Sequence, residues 1–402
     1  MTSTTTSPLT PETILAEAKA SAEWMIGLRR QLHRHPELAY EEFQTSALVC
    51  KTLDELNIPY RTGFAVTGVV ATLGRPSGRS VALRADMDAL PIQEMADVPF
   101  RSEIDGKMHA CGHDCHTSML LGAAKLLKAH EAELPGTVTL IFQPAEEGGA
   151  GAKRMCDEGA FDQSPVDRIF GIHVWPTEAT GTVLGIAGVL LAAGHTVRIQ
   201  ITGKGGHGAL PHLTTDPIVC AAKVVVEIQT IVSRETNPFT PTVVTMGSIR
   251  GGDPNGPSVI PETVEIVGTL RSQTDEGLAN VARRVKEIAE GVATVSRCTA
   301  DVQFPMYYPA TVNDARCWDL ARHAAEGIVG TENVRSVDPL MASEDFAFYR
   351  KQKSIPGCFT FLGVKADGWE NYPVHHPKVR VDEDALPIGA ALHVQTALEA
   401  LR

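Results

Sequence analysis

The stretch Lys107-Met-His-Ala-Cys-Gly-His-Asp-Cys-His-Thr117 gathers several side chains that can bind a metal ion. The ligand types that suit a borderline-soft divalent ion such as zinc are all present: Cys111, His113, Asp114 and His116. Because a single glycine separates the thiol from the first imidazole, a tight turn lets both reach one ion. Short clusters of this kind also arise as buried thiols beside surface histidines. The stretch alone therefore allows two interpretations, and residues elsewhere must decide between them.

The composition narrows the class of protein. A chain of 402 residues is too long for one small core and suggests two domains. Its net charge of -12 comes without a basic cluster, which argues against nucleic acid and anionic membranes as partners. No apolar run approaches the roughly 18 residues of a membrane span, and the first eleven residues lack the pattern of a secretion signal. Because eight cysteines do not make a disulfide framework in so long a chain, we expect a cytoplasmic protein.

Three apolar strands are predicted, and each is followed by a carboxylate or an imidazole. In chain order, the strands and their side chains are residues 80–85 with Asp86 and Asp88, residues 137–143 with Glu146 and Glu147, and residues 168–172 with His173. Helices alternate with these strands, which predicts an α/β fold with a central, mostly parallel sheet flanked by helices. The loops past the carboxyl ends of such strands are free to hold polar groups. We therefore expect a site at this edge of the sheet.

Further helices complete this first pattern. They are predicted over residues 11–34, 42–56, 118–130, 314–329 and 385–401, with another strand over residues 357–363. The first helix carries His33 and His35 at its end, before Pro36 stops it. We interpret these two histidines as surface or capping residues.

The pattern changes near residue 189. Strands are predicted over residues 196–202, 242–249, 263–271 and 299–304, and helices over residues 216–234 and 275–295. The order β-α-β-β-α-β is that of a ferredoxin-like unit. We predict an inserted α+β lid and dimerisation domain over residues 189–304, and a discontinuous catalytic domain formed by residues 1–188 and 305–402.

Motifs along almost the whole chain resemble one enzyme family. They are Leu32-His-Arg-His-Pro-Glu-Leu38, Leu83-Arg-Ala-Asp-Met-Asp-Ala-Leu-Pro91, His109-Ala-Cys-Gly-His-Asp114, Gln143-Pro-Ala-Glu-Glu147, Gly203-Lys-Gly-Gly-His207, Ser343-Glu-Asp-Phe346 and His375-His-Pro377. Together they resemble the amidohydrolase branch of the aminoacylase/carboxypeptidase metallopeptidases. That branch includes hippurate hydrolases, N-acyl-amino-acid amidohydrolases and auxin-conjugate hydrolases.

The resemblance implies a site for two divalent ions, for which zinc, manganese, nickel and cobalt are candidates. The residues that match the family's ligands are Cys111, His113, Glu147, His173 and His375. Glu146 matches the general base, and Asp88 matches a carboxylate that orients a metal-bound group. His207 and Arg271 match residues of the lid domain that contact substrate, with His207 reaching the active site of a partner subunit in a homodimer.

Several positions stay open. Asp86 stands where other branches of the superfamily place a histidine ligand, and Cys115 is either an extra ligand or a small buried residue. His376 could bind metal in place of its neighbour His375. The family's usual asparagine before Val-Ile-Pro is Ser258 here, which puts one substrate contact in doubt unless Asn255 compensates.

The residue types suit the hydrolysis of an amide. Divalent ions lower the pKa of a bound water and polarise the carbonyl, while a free carboxylate moves the proton. The predicted function is metal-dependent hydrolysis of N-acyl amino acids such as hippurate, giving a carboxylic acid and a free amino acid. An auxin-conjugate or dipeptide hydrolase is the alternative within the family. A cysteine hydrolase using Cys111 with His113, or a non-catalytic metal-binding protein, would represent a different class.

Overall fold

The computed structural model of the chain describes residues 9–76, 78–370 and 372–402, which form two compact units. The first unit contains the described residues up to Leu190 together with Val312–Asp338 and Asp345–Arg402. The second unit contains Leu191–Thr311 and Pro339–Glu344. The functions assigned to the two predicted domains, catalysis and a lid, stay predictions.

The helices of the described residues are α1 (Pro11–Ala20), α2 (Ala22–Arg34), α3 (Phe43–Glu55), α4 (His113–Ala129), α5 (Gly151–Asp157), α6 (Pro217–Glu227), α7 (Asp275–Val295), α8 (Ala315–Val329), α9 (Ala347–Lys353) and α10 (Ala385–Leu401). The strands are β1 (Tyr60–Phe64), β2 (Gly68–Gly74), β3 (Ser80–Asp86), β4 (Thr137–Gln143), β5 (Arg168–Ala179), β6 (Val183–Gly185), β7 (Gly188–Leu191), β8 (Ala193–Thr202), β9 (Gly206–His207), β10 (Thr242–Gly251), β11 (Val259–Ile260), β12 (Thr263–Ser272), β13 (Thr299–Tyr308), β14 (Thr311–Asn313), β15 (Val334–Ser336) and β16 (Gly357–Lys365). Among the described residues, no helix has both the length and the apolar run needed to cross a bilayer.

The first unit is built on an eight-stranded sheet with the order β1-β2-β4-β3-β5-β16-β6-β15. At its centre, β3 runs parallel to β4 and β5, and β5 runs parallel to β16. Central parallel strands are buried on both faces and therefore read as continuous apolar runs rather than as alternating ones. This is the pattern of β3 and β4, in which nearly every residue is buried. The predicted α/β class with a mostly parallel central sheet is confirmed.

Helices cover this sheet and complete the core of the first unit. The helix α10 packs against both α4 and α8, and its side chains are buried almost all round. A helix that is apolar on every side is stable only inside a protein. The shared core includes Leu83, Leu120, Leu140, Leu362 and Leu386.

One large cation is buried beneath the ends of the central strands. Arg84 in β3 is 2% exposed, and its three nitrogens donate to three different side chains. The acceptors are Gln143 Oε1 at 2.8 Å, Asp86 Oδ2 at 2.6 Å and Asp345 Oδ1 at 3.0 Å. Because the two carboxylates are themselves buried, their charges depend on this guanidinium for compensation. Arg84 therefore holds the polar side chains at the ends of β3 and β4 in place.

The substitution Arg84→Met tests this dependence. We expect it to lower the free energy of unfolding of the first unit by about 3–5 kcal/mol, because two buried carboxylates lose their partner. Urea denaturation followed by tryptophan fluorescence measures this unit, since all four tryptophans lie in it. The control Arg322→Met removes a half-exposed pair with Glu326 and should cost less than about 1 kcal/mol. Equal losses for the two variants would contradict the role of Arg84.

The second unit contains a four-stranded antiparallel sheet with the order β10-β12-β8-β13. The helices α6 and α7 pack on one face of it. Buried residues alternate along β8, where Val197, Ile199 and Ile201 face the helices. Along the chain the elements follow the β-α-β-β-α-β order that was predicted for a ferredoxin-like unit.

Several predicted boundaries were wrong. The helix predicted over residues 11–34 is two helices that meet at Ser21. The helix expected to begin at residue 118 begins at His113, so the end of the Cys/His stretch forms its first turn. The strand expected to end before His173 continues to Ala179, and His173 therefore lies within it. The strands β1 and β2 were not predicted.

Candidate active site

The Asp88 carboxylate joins three parts of the first unit. It lies two residues past the end of β3 and is 1% exposed. Oδ1 accepts a hydrogen bond from the backbone N–H of Glu146 at 3.0 Å, and Oδ2 accepts one from the backbone N–H of Glu147 at 2.9 Å. Oδ1 also lies 3.3 Å from Nδ1 of His113. The orienting role predicted for Asp88 toward a metal-bound group stays a prediction.

Two of the predicted ligand histidines direct Nε2 into the same region. In His173, Nδ1 lies 2.7 Å from the carbonyl oxygen of Val174, so Nδ1 carries the proton and Nε2 keeps its lone pair. This Nε2 lies 3.3 Å from the sulfur of Cys111. In His113, Nδ1 faces Asp88, while the buried Nε2 has no hydrogen-bond partner among the residues that the structure describes. Both Nε2 atoms are therefore placed as potential ligand atoms.

His116 is close to this region, but both of its ring nitrogens are already used. Its Nδ1 lies 2.5 Å from Asp86 Oδ1, and its Nε2 accepts the backbone N–H of Val174 at 2.9 Å. The lone pair of Nε2 is therefore not available to a metal ion. Asp86 is equally committed, because its other oxygen accepts from Arg84. We infer that Asp86 and His116 support the site without binding metal, although their atoms and those of His113 lie within 4.8 Å of one another.

The glycine of the Cys/His stretch is required by its conformation and by its neighbour. Gly112 has a φ of 86°, a value that favours glycine, and it directly precedes the first residue of α4. A Cβ at this position would also overlap Cγ2 of Val174. The turn allows Cys111, His113 and His173 to form one group whose potential ligand atoms lie within 4.8 Å of one another.

Cys111 also belongs to a second group, with Glu147 and His375. Oε1 of Glu147 lies 2.9 Å from Nε2 of His375. The backbone of His375 has a φ of 66°, and its N–H donates to the carbonyl oxygen of Ala110 at 2.8 Å. This bond ties the loop of His375 to the Cys/His stretch. The structure thus brings all five predicted ligands into two groups that share Cys111.

Two positions left open by the sequence are turned away from these groups. The ring of His376 stacks on Tyr372 at a centroid distance of 4.4 Å, and its Nδ1 accepts the N–H of Lys378 at 3.1 Å. Cys115 is buried in the hydrophobic core of the first unit. Neither residue joins a potential metal-binding group within the part of the chain that the structure describes.

Charge in this region favours a cation. Burial raises the pKa of the Cys111 thiol well above its usual value, and the carboxylates of Glu147 and Glu146 raise it further. Burial opposes a charge on His113, but Asp86 and Asp88 overcome it and raise the pKa of that imidazole to about 10. Burial, with His116 close by, holds the pKa of His173 well below its usual value. Negative groups therefore outweigh positive ones around these ligand atoms.

The residues present fit divalent cations. Within the described residues Nε2 of His113 makes no hydrogen bond, and its contact with Asp86 Oδ2 is 3.7 Å long, so a proton there would be a poorly paired buried donor. A metal ion facing that nitrogen removes the unpaired donor and also offsets the surrounding carboxylates. Sulfur, imidazole and carboxylate together form the donor set of borderline-soft ions such as zinc. Cys111, common to both groups, is the residue best placed to serve two ions.

The prediction that His33 is a surface or capping residue was wrong. Its side chain is buried, with Nδ1 2.8 Å from Asp114 Oδ2 and Nε2 3.1 Å from Glu94 Oε1. Since carboxylates only accept, both ring nitrogens carry protons. Arg29, one turn earlier in α2, also donates to Asp114 at 2.9 Å. The carboxylates lie 81 and 61 residues away in the sequence, so helix periodicity gave no sign of them.

The two predicted substrate-binding residues lie in the second unit. His207 is exposed in β9, where it pairs with Val259 of β11, and its Nδ1 accepts the N–H of Ala209 at 3.2 Å. Arg271 lies in β12, and its Nη1 donates to the hydroxyl of Ser343. Their contacts with substrate stay predictions.

Comparison with known proteins identifies the family. Residues 82–399 match the peptidase family M20/M25/M40. The chain belongs to this family. The resemblance to the aminoacylase/carboxypeptidase metallopeptidases is therefore confirmed, and the chain is an M20 hydrolase whose clustered residues fit metal-dependent cleavage of an amide.

Individual M20 relatives are similar over almost their whole length. The chain is 44% identical to IAA-amino acid hydrolase ILR1-like 4 of Arabidopsis thaliana, over 96% of this chain and 88% of the relative. It is 42% identical to N-acetyl-L-cysteine deacetylase of Bacillus subtilis, over 90% of this chain and 84% of the relative. The crystal structure of the Bacillus subtilis YXEP protein, a dinuclear metal binding peptidase, superposes with a TM-score of 0.78 at 35% identity, covering 95% of this chain and 99% of that one.

The neighbouring histidines His375 and His376 provide a matched test of the metal site. We expect His375→Ala to weaken metal binding by more than roughly 10-fold, since loss of even an outer partner of a metal ligand has that effect. We expect His376→Ala to bind metal like the parent, because its ring stacks on Tyr372 instead. Titration of the metal-free variants with zinc measures both. A stronger effect of His376→Ala would reverse the assignment.

Proposed function

We propose that this enzyme hydrolyses the amide bond of N-acyl amino acids, giving a carboxylic acid and a free amino acid. The observation that carries the proposal is the pair of adjacent glutamates held by one carboxylate. Asp88 accepts both of their backbone N–H groups, and the Glu147 carboxylate contacts Nε2 of His375. We assign Glu147 to metal binding and its neighbour Glu146 to proton transfer.

The five predicted ligands would hold two divalent ions. Cys111, His113 and His173 form one group, and Cys111 with Glu147 and His375 forms the other. When bound, such ions lower the pKa of water to about 7 and polarise a carbonyl oxygen. The chain contributes the placement of the ligand atoms, since Asp88 orients His113 and the carbonyl of Val174 orients His173.

Glu146 is proposed as the group that moves the proton. It is 6% exposed, so bulk water does not compete strongly for its carboxylate. It takes a proton from the attacking water, whose oxygen becomes bonded to the acyl carbon. The same proton then passes to the amide nitrogen as the carbon–nitrogen bond breaks. A general acid and base of this kind contributes about 10²–10⁴-fold to the rate.

The substrate class is supported by the names of two relatives. One is named for an IAA-amino acid and the other for N-acetyl-L-cysteine, and both substrates are amino acids with an acyl group on nitrogen. A hippurate-like substrate and an auxin conjugate fit these names equally. The contribution of His207 and Arg271 to substrate binding and a homodimer formed through the inserted domain are proposed on the family resemblance alone. A cytoplasmic location is proposed because the eight cysteines do not make a disulfide framework.

A cysteine hydrolase is the second candidate, because Cys111 and His173 form a thiol–imidazole contact of 3.3 Å. A nucleophilic cysteine needs a lowered pKa. Burial and the nearby Glu147 have the opposite effect on Cys111. A metal ion deprotonates a thiol that coordinates it, so the raised pKa of Cys111 disfavours a free nucleophile but not a metal ligand. Sensitivity to a chelator separates the two mechanisms.

The adjacent glutamates have different expected phenotypes. We expect Glu146→Gln to lower kcat by about 10²–10⁴-fold, as for a lost general base, while metal content stays that of the parent. We expect Glu147→Gln to weaken metal binding. Steady-state kinetics with elemental analysis of the purified proteins distinguishes the roles. If both variants lose metal equally and Glu146→Gln keeps its turnover at saturating metal, the roles are misassigned.

A substrate panel tests the reaction itself. Hippurate, indole-3-acetyl-alanine, N-acetylcysteine and an unblocked dipeptide should be compared at saturating metal and after treatment with a chelator. We expect cleavage of the N-acyl amino acids, little cleavage of the dipeptide, and loss of activity on chelation. Activity that survives removal of the metal but is lost on thiol alkylation would instead support the cysteine mechanism.

A further inference from the structure

Three consecutive backbone N–H groups at the glutamate pair are taken up by buried carboxylates. Asp88 accepts those of Glu146 and Glu147. The third, that of Ala145, donates to Oε1 of Glu42 at 2.9 Å. Both ends of this short segment are therefore set by carboxylates from other parts of the chain.

Glu42 is completely buried and connects three segments of the first unit. Its Oε1 also accepts the N–H of Tyr40 at 3.0 Å, and its Oε2 accepts the hydroxyl of Thr67 at 2.7 Å. Tyr40 belongs to the segment before α3, Thr67 to the turn between β1 and β2, and Ala145 to the loop after β4. Few side chains other than a carboxylate can accept from three donors at once.

The backbone at both amide donors is unfavourable on its own. Tyr40 has a φ of 66° and Ala145 a φ of 55°, values that residues with a Cβ rarely adopt. Such conformations persist only when surrounding contacts hold them, and they cluster at functional sites. The shared acceptor, Oε1 of Glu42, supplies one such contact to each. The Tyr40 hydroxyl adds a second link to the same loop by donating to the carbonyl oxygen of Gly149 at 2.5 Å.

We propose that Glu42 is a positioning residue that fixes the direction of Glu146 and Glu147 through the N–H of Ala145. The proposal rests on the proposed function, because it assumes that this pair binds metal and moves the proton. In the described part of the chain, the side chain of Glu42 accepts from Tyr40, Thr67 and Ala145, none of which is a predicted ligand. Its effect on the reaction is therefore indirect.

The chemistry of the carboxyl suggests which substitution should be tolerated. Burial raises the pKa of Glu42 to about 7, so near neutrality part of the protein carries a protonated carboxyl there. A protonated carboxyl keeps a carbonyl oxygen that can accept from Ala145. Glutamine presents the same oxygen in the same place, whereas leucine has similar bulk and no acceptor.

The test compares Glu42→Leu with Glu42→Gln. We expect Glu42→Leu to lower kcat at saturating metal by roughly 10–10²-fold, the scale of a small misplacement of catalytic groups, with a smaller change in KM. Glu42→Gln should stay close to the parent. Rescue by glutamine shows that the acceptor oxygen is needed, since bulk is present in both variants.

Two readouts do not depend on activity. Amide hydrogen exchange of the peptide covering residues 140–152 should be faster in Glu42→Leu, because the N–H of Ala145 loses its acceptor. The visible absorption of the cobalt-substituted protein should show weaker or altered binding, because Glu147 is displaced. Thr67→Val removes only the hydroxyl that donates to Glu42 and should change both readouts in the same direction by less. It serves in place of Glu42→Leu if that variant does not fold.

Glu37 provides the matched control. It lies in the same segment, and its carboxylate accepts the N–H groups of Gln44 and Thr45 in α3 rather than the N–H of Ala145. Glu37→Leu should lower thermal stability but leave kcat and the exchange of residues 140–152 unchanged. Equal loss of kcat in Glu37→Leu and Glu42→Leu, or unchanged exchange in a folded Glu42→Leu protein, would overturn the proposal. Full activity of Glu146→Gln would instead refute the proposed function, while the exchange measurement still reports on Glu42.

Discussion

The buried carboxylate of Asp88 is the group on which the candidate site depends. It holds the backbone of Glu146 and Glu147 and faces Nδ1 of His113, so one side chain relates the end of β3 to the start of α4 and to the loop after β4. A carboxylate can do this because its two oxygens accept several bonds at once. Without it, the buried backbone N–H groups of Glu146 and Glu147 would lose their acceptor, and the orientation of the two side chains would no longer be held.

A second layer of buried charge lies behind this group. Arg84 compensates Asp86, which in turn binds Nδ1 of His116, and His116 accepts from the backbone of Val174. Each member has a partner, as buried ions require. Closer to the proposed metals the balance differs, because the carboxylates of Asp88, Glu146 and Glu147 outnumber the cations there. The first unit therefore places paired buried ions, Arg84 and Asp86, next to a group of candidate ligands that favours a bound cation.

The loops that carry the candidate residues contain unusual backbone. Ala145 and His375 both have positive φ values without being glycine, and each is held by a hydrogen bond from its own N–H to a distant part of the chain. Local conformational preference would not choose these geometries. Tertiary contacts maintain them, which is how a protein presents polar groups in directions that a relaxed loop would not give.

The α/β class, the ends of β3 and β4 near the site and the identities of the five candidate ligands could be predicted from the sequence. This was possible because β3 and β4 are continuous apolar runs with acids at or shortly after their ends, and because the motifs occur in the order typical of one family. The fold was needed to show that His33 is buried between two carboxylates and that both ring nitrogens of His116 are engaged. It also showed that His375, rather than His376, meets Glu147. These contacts involve partners far away in the chain, and neither side-chain type nor periodicity predicts which distant residues will meet.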